Sequence, residues 1–230
     1  MNVNLDLGHV IANFQMGSSN SKTGNGVQVF FLPRAMIEKG KLELEEDTPI
    51  CFNCPLAKGK GCYVPKGLSG WGLRSKLRSL HKKLILHNME QILARVRDFT
   101  YIRLGAYGEP ILLGINFLKE LVKGRNWTGY THQWRQDNYQ GYKEYLMASV
   151  HSLSEAMEAE ARGWRWFWSV EEMDPLITIR RGAMVYNGKV IAVNCPASKE
   201  AGRKAICNTC GLCKGTSMRA RNIWIRKHCL

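Results

Sequence analysis

Apolar positions recur along the chain at two spacings, and the switch between them lays out the expected elements. Val27 to Leu32 (VQVFFL) is a continuous apolar run stopped by Pro33, the pattern of a buried strand. Leu73, Leu77, Leu80, Leu84, Ile92 and Val96 recur at helical spacing and predict one long amphipathic helix over Trp71–Phe99. Strand and helix then alternate. Strands are predicted at Thr100–Leu104, Trp127–Thr131, Tyr145–Val150 and Arg165–Val170. Helices are predicted at Leu113–Lys123, capped by Gly124, and at Leu153–Arg162, opened by Ser152 with Glu155 and closed by Gly163. A short helix fits Asp137–Lys143. Leu176–Arg180, Ala183–Tyr186 and Lys189–Val193 are β-like, the last two joined by the hairpin dipeptide Asn187-Gly188. Residues 1–26 show neither period and read as irregular, with SSNSKTGNG a loop by composition.

Repeated βα units imply an α/β fold with a mostly parallel sheet. Room for about six strands suggests a partial (β/α)6-type barrel over residues 1–194, short of the eight-stranded form. Residues 195–230 then form a four-cysteine extension packed on the barrel. Chemistry in such folds sits at the strand C-terminal ends. Those ends carry Tyr107, Gly108 and Glu109; Thr131, His132 and Gln133; Ser149 and His151; Glu171 and Glu172; and Asn194 with Cys195. Of these, Tyr107, Gly108, Glu109, Pro110, His132 and Ser149 are the candidates for holding a cofactor. Each histidine or glutamate reads equally as a structural or solvated residue.

Charge and cysteine content narrow the picture. The formal net charge is +14, from 33 Lys and Arg against 19 Asp and Glu. Eleven of the cations but only Glu90 and Asp98 lie between Pro55 and Leu104, and eight cations against Glu200 lie from Lys199 onward. Such concentration attracts polyanions, with a nucleic acid or nucleotide the expected partner, or is simply a solvated basic face. The phosphate-loop pattern is not matched around Lys22, Gly24 and Gly26. No apolar run nears the roughly 18 residues that span a bilayer, and MNVNLDLGHV lacks a secretion signal, so no membrane partner is expected. Seven of eight cysteines fall in two clusters, which suits metal ligation in a reducing cytoplasm better than disulfides.

The cysteine spacings are specific. Cys207, Cys210 and Cys213 follow C-x2-C-x2-C, the rhythm that wraps a 4Fe–4S cubane, and Cys195 completes four thiolates. Four-cysteine zinc sites also use C-x2-C pairs, so zinc stays open as the alternative metal. Cys51, Cys54 and Cys62 form a second set of three in a Pro- and Gly-rich loop. A cubane held by three cysteines leaves one iron open, whereas zinc there would need His81 or His87. Cys229, beside His228, reads as a spare thiol.

A three-cysteine loop after the first predicted strand, then a helix, then a strand running into GAYGEP, resembles the radical S-adenosylmethionine enzymes. The resemblance implies that Cys51, Cys54 and Cys62 ligate a 4Fe–4S cluster whose open iron takes S-adenosylmethionine. It implies further that Gly108, Glu109 and Pro110 contact the cofactor's amino group, and that Cys195, Cys207, Cys210 and Cys213 hold an auxiliary cluster. The chain departs from that family in spacing, C-x2-C-x7-C in place of C-x3-C-x2-C, with Tyr63 after the last cysteine. NSKTGNGVQVFFLPR, GCYV, YIRLGAYGEP, WTGYTHQW, MASV and CPASKEAGRKAICNTCGLCKG also look like a family of uncharacterised cysteine-rich bacteriophage proteins. That likeness implies a phage origin and the cytoplasm of an infected cell. The expectation is a phage iron–sulfur enzyme modifying a nucleic acid or nucleotide. The alternative is a non-catalytic nucleic-acid-binding protein stapled by zinc or iron–sulfur sites, its many Trp and Tyr stacking on bases. Trp164, Trp166 and Trp168, however, read as core.

Overall fold

Residues 2–15 form a hairpin and are not irregular. A computed structural model describes residues 2–18, 20, 23–58, 60–62, 64, 67–202 and 205–226. Lys22, Tyr63, His228 and Cys229 lie outside the described residues. Strands β1 (Asn2–Asp6) and β2 (Val10–Gln15) pair antiparallel with Asn4 opposite Asn13. Both asparagines are buried, and Asn13 Nδ2 donates to Asn4 Oδ1 at 2.6 Å. That internal polar pair is why the strands lack an apolar signature.

The described residues divide into two compact units, one of 2–18 with 26–125, the other of 20 and 23–25 with 126–226. In the first, β2 pairs antiparallel with β3 (Val27–Pro33), which runs parallel to β4 (Tyr101–Tyr107). Between β3 and β4 come α1 (Arg34–Lys39), α2 (Thr48–Cys51), α3 (Gly67–Lys82) and α4 (Met89–Val96); α5 (Ile115–Val122) follows. The single helix expected over Trp71–Phe99 is thus two helices. The stretch between them docks on the outer edge of β1: Asn4 Nδ2 donates to Ile85 O at 2.9 Å and His87 N to Asn4 O at 2.8 Å. Asn88 then restarts the helix through a capping box with Gln91. Leu73, Leu77, Leu80, Ile92 and Val96 are buried as the periodicity requires.

Lys76 breaks that apolar stripe. Its Nζ donates to Gln15 Oε1 at 3.0 Å and stands 4.6 Å from the centre of the Phe30 ring. Burial lowers the ammonium pKa from 10.5 to about 8. The unfolded chain therefore binds more protons between pH 8 and 10.5, and stability contributed by this residue rises with pH there. Below pH 8 the folded state carries a penalty of about 3 kcal/mol, partly offset by the ring. Lys76→Met is expected to stabilise the protein at pH 7 by about 1–3 kcal/mol, with the gain shrinking toward pH 10. Urea unfolding at the two pH values checks this; a gain independent of pH would overturn it.

The second unit opens with β5 (Asn126–Thr128) and β6 (Tyr130–Thr131), two short strands in place of the one expected. A 3-10 segment at Asp137–Glu144 replaces the short helix. Then come β7 (Met147–Val150), α6 (Leu153–Ala161), β8 (Trp166–Val170), β9 (Thr178–Arg180), β10 (Ala183–Tyr186), β11 (Lys189–Asn194), α7 (Cys207–Cys210) and β12 (Asn222–Arg226). They form one sheet in the order β6-β7-β8-β12-β11-β10-β9. The first five run parallel and the last two antiparallel. Asn187 and Gly188 take φ of 47° and 74°, the left-handed pair that a two-residue hairpin needs. Strand β12, unmarked in the sequence reading, is inserted between β8 and β11, so the C-terminal segment is part of this sheet.

The fold is α/β with mixed sheets of parallel and antiparallel strands. The expected partial barrel goes no further than that: no barrel closes among the described residues, and each sheet carries antiparallel strands at an edge. Trp164, Trp166 and Trp168 are core residues as expected, each at most 2% exposed. No helix among the described residues is long and apolar enough to cross a membrane.

Candidate metal centres

The four cysteines of the second unit are gathered by strand register and two tight turns. Cys195 follows β11 directly, and its N–H donates to Trp224 O at 2.9 Å, extending the ladder with β12. Cys207 and Cys210 open and close the single turn α7, three residues apart and so on one face. Gly211, at φ 62°, then reverses the chain and brings Cys213 back. Asn208 anchors the turn: its N–H donates to Thr23 O, its Nδ2 to Asn25 O, and its carbonyl accepts Asn126 Nδ2. The glycine-rich loop around Gly24 serves this packing, since a Cβ on Gly24 would sit 3.0 Å from Ile206.

All four cysteines line one cavity of about 30 Å³, walled by Tyr130, Phe167, Leu212 and Ile223. Tyr130 lies against Phe167 with ring centres 4.5 Å apart, and its hydroxyl donates to the Cys213 sulfur. Burial pushes the Cys213 thiol up to about 12, and the charges of Cys195, Cys207 and Cys210 act the same way, while the Tyr130 bond opposes them. Four thiols in so apolar a pocket ionise together only if a cation enters. Arg165, 9% exposed, wires the loop together: Nη1 donates to Leu212 O at 2.8 Å and Gly215 O at 2.9 Å, and Nη2 to Arg221 O.

The three cysteines of the first unit sit in a more polar setting. Helix α2 ends on Cys51, and the next residue, Phe52, takes φ 50°, a conformation side chains disfavour. Cys54 N donates to Cys51 O at 2.9 Å, and Cys62 N to Leu56 O at 3.1 Å, folding the loop back. Asp47, which precedes α2, is 1% exposed; its Oδ2 accepts the Lys58 N–H at 3.1 Å and its Oδ1 has no partner. Tyr107 OH is likewise buried without a partner. Burial raises the Cys51 thiol far above its ordinary value, and the charges of Asp47, Cys54, Cys62 and Glu109 add to this.

The GAYGEP strand end packs on the same segment. Glu109 is buried, and its N–H donates to Ile50 O at 2.8 Å. Gly108, at φ 81°, lets β4 approach α2: a Cβ there would lie 2.8 Å from Phe31 Cβ and 3.1 Å from Ile50 Cβ. Tyr107, Gly108 and Glu109 are thus assembled beside Cys51, with Pro110 opening the 3-10 turn that follows. The histidines weighed as closing ligands have other contacts. His81 Nδ1 lies 3.2 Å from Ile37 O, and His87 Nδ1 accepts Asn4 N–H at 3.3 Å.

His132 and Ser149, in the second unit, lie just past β6 and on β7. Ser149 O accepts Trp134 Nε1 at 3.1 Å. His132 meets His151, with Nε2 atoms 3.1 Å apart, ring planes 2° apart and centres 5.2 Å apart. Those distances place the rings edge to edge, with the two nitrogens within hydrogen-bond distance. Glu171 and Glu172 are exposed.

The seven described cysteines form no disulfide. As the side chains stand, no three or more His, Cys, Asp or Glu among the described residues converge to hold a metal ion. The donor sets nonetheless suit a thiophilic metal or cluster: four thiols round one cavity, and three thiols beside two orphaned buried oxygens. Asp47, Tyr130 and Arg165 were not singled out from sequence. Only Asp47 left a trace there, as an Asp-Thr-Pro helix start four residues before Cys51. Comparison with protein-family models, with curated proteins and with solved structures finds no match.

Proposed function

We propose that the chain is an iron–sulfur protein with two cysteine-held centres, related in chemistry to radical S-adenosylmethionine enzymes and acting on a nucleic acid or nucleotide. The observation that carries this is the first-unit site, where Cys51, Asp47, Glu109 and the orphaned Tyr107 hydroxyl are buried together beside Cys54 and Cys62. Such a set is uncomfortable without a bound cation. In this reading Cys51, Cys54 and Cys62 hold a 4Fe–4S cluster, and Cys195, Cys207, Cys210 and Cys213 hold a second. When bound, the first cluster supplies the electron that cleaves S-adenosylmethionine reductively. Glu109 accepts hydrogen bonds from the cofactor's amino group. A partial (β/α)6-type barrel, a bacteriophage origin and the host cytoplasm go with the same reading.

Anaerobically reconstituted protein is expected to carry about eight irons with matching sulfide. When reduced it should cleave S-adenosylmethionine, and Cys62→Ala should lose that activity. Full reconstitution without cleavage would overturn the enzymatic reading.

One observation favours a second reading, nucleic-acid binding with structural zinc as the metal. Six of the seven tryptophans are buried, but Trp71 is 74% exposed. It shares the outer face of α3 with Arg74, Arg78 and Lys82, on a helix with no acidic residue. The apolar face of α3 is already packed, so this surface suits stacking and phosphate contact better than membrane insertion. Trp71→Ala is expected to weaken single-stranded DNA or RNA binding about 5- to 100-fold. Arg78→Ala should lower the salt dependence by about one ion. Fluorescence titration across salt concentrations checks both, with no binding at low salt as the refuting result.

A further inference from the structure

Three cysteines leave a tetrahedral or cubane site one ligand short, and the first unit contains a side chain suited to the gap. We infer that Asp47 is the fourth protein ligand of the centre held by Cys51, Cys54 and Cys62. The inference rests on the reading that those cysteines bind a metal or cluster.

Three observations carry it. Asp47 stands one helical turn before Cys51, whose N–H donates to Asp47 O at 2.9 Å, so the two side chains leave the same face of α2. Its carboxylate is pinned on one oxygen only: Oδ2 accepts Lys58 N–H, while the buried Oδ1 has no partner. The side chain also meets the Cys51 thiol, and the nearby Tyr107 hydroxyl is orphaned as well. A buried carboxylate oxygen is not ordinarily left unmatched. Neither histidine once available as a fourth ligand is placed for the role, since His81 contacts Ile37 O and His87 accepts from Asn4.

The chemistry has a consequence for the site's behaviour. Among three thiolates, a carboxylate oxygen is the harder and more readily exchanged ligand on zinc or iron. A centre so built is closed at rest and opens when an incoming amine or carboxylate displaces Asp47. The three thiolates meanwhile keep their hold. That reconciles a complete resting coordination with the open iron that S-adenosylmethionine requires.

Zinc-loaded full-length protein provides the test, by X-ray absorption and by chelator competition. The wild-type spectrum should fit sulfur near 2.3 Å plus an oxygen shell near 2.0–2.2 Å. In Asp47→Cys the oxygen shell should disappear and the sulfur count rise, with zinc content unchanged. Asp47→Asn can still accept the Lys58 amide; it should keep wild-type hydrogen-exchange protection in β3 and β4 but bind one of the two zincs at least 10-fold more weakly. An all-sulfur wild-type shell, an oxygen shell that survives Asp47→Cys, or unchanged affinity in Asp47→Asn would each overturn the inference. Uptake of a single zinc, retained after Cys62→Ala, would overturn the three-cysteine centre itself and the inference with it.

Discussion

Cys213→Ala is expected to abolish the metal binding proposed for the second unit and to destabilise that unit more than any other single change considered. The four thiols of Cys195, Cys207, Cys210 and Cys213 surround one small cavity, where the loops of α7 and the β11 end meet. Structural zinc held by such sets contributes an apparent binding energy of about 10–16 kcal/mol, as large as the roughly 5–15 kcal/mol net stability of a whole domain. Losing one thiolate forfeits much of that. A single unfolding midpoint is a poor readout for a chain of two units, so hydrogen exchange is the better measurement. Amides of β11, β12 and α7 should lose protection in Cys213→Ala, and chelator should reproduce the loss in the wild type while adding nothing to the variant. Protection in these elements that is indifferent to chelator in the wild type would sink the idea of a metal staple.

The gathering of those four cysteines around one cavity was legible in the sequence because its signal is local. C-x2-C-x2-C needs no knowledge of distant pairing, and neither does Asn187-Gly188 or the Ser152 cap. What escaped was whatever depends on partners far along the chain. Strand β12 is five residues long and gains its place only from β8 and β11 on either side. Strands β1 and β2 carry a buried Asn4–Asn13 pair that interrupts the apolar alternation, and each asparagine is intelligible only once the other is opposite it. The break between α3 and α4 escaped for a related reason. Leu84 keeps helical phase, so the period runs on although the backbone has left to pair with Asn4. In the candidate sites the thiols were visible, but their supports were not. Asp47 stands outside the cysteine spacing, and Arg165 lies 48 residues before Cys213, whose loop it holds.

Arg165 is where that long-range support has its largest expected effect. Its guanidinium spans three carbonyls, Leu212 O, Gly215 O and Arg221 O, and so fixes both ends of the loop that carries Cys213. Burial works against the charge, while the ionised forms of Cys213 and Tyr130 favour it. With metal-bound thiolates in the pocket, the arginine would also offset their negative charge. Arg165→Met keeps much of the volume but abandons three carbonyls in a buried setting, a loss of about 3–5 kcal/mol. Arg165→Lys should recover little, because one ammonium lacks the planar fork that reaches all three oxygens. Metal affinity at the four-cysteine pocket should fall about 10- to 100-fold in both variants, as when other outer-shell supports are removed. Gly215 reinforces the geometry: at φ 62° it packs against the backbone of Lys143 and Glu144, leaving no room for a side chain and no slack for the loop to resettle. Denaturant unfolding of metal-loaded protein and chelator competition together separate the two effects. A lysine variant as stable and as tightly metallated as the wild type would show that Arg165 supplies charge alone and that the loop holds its own shape.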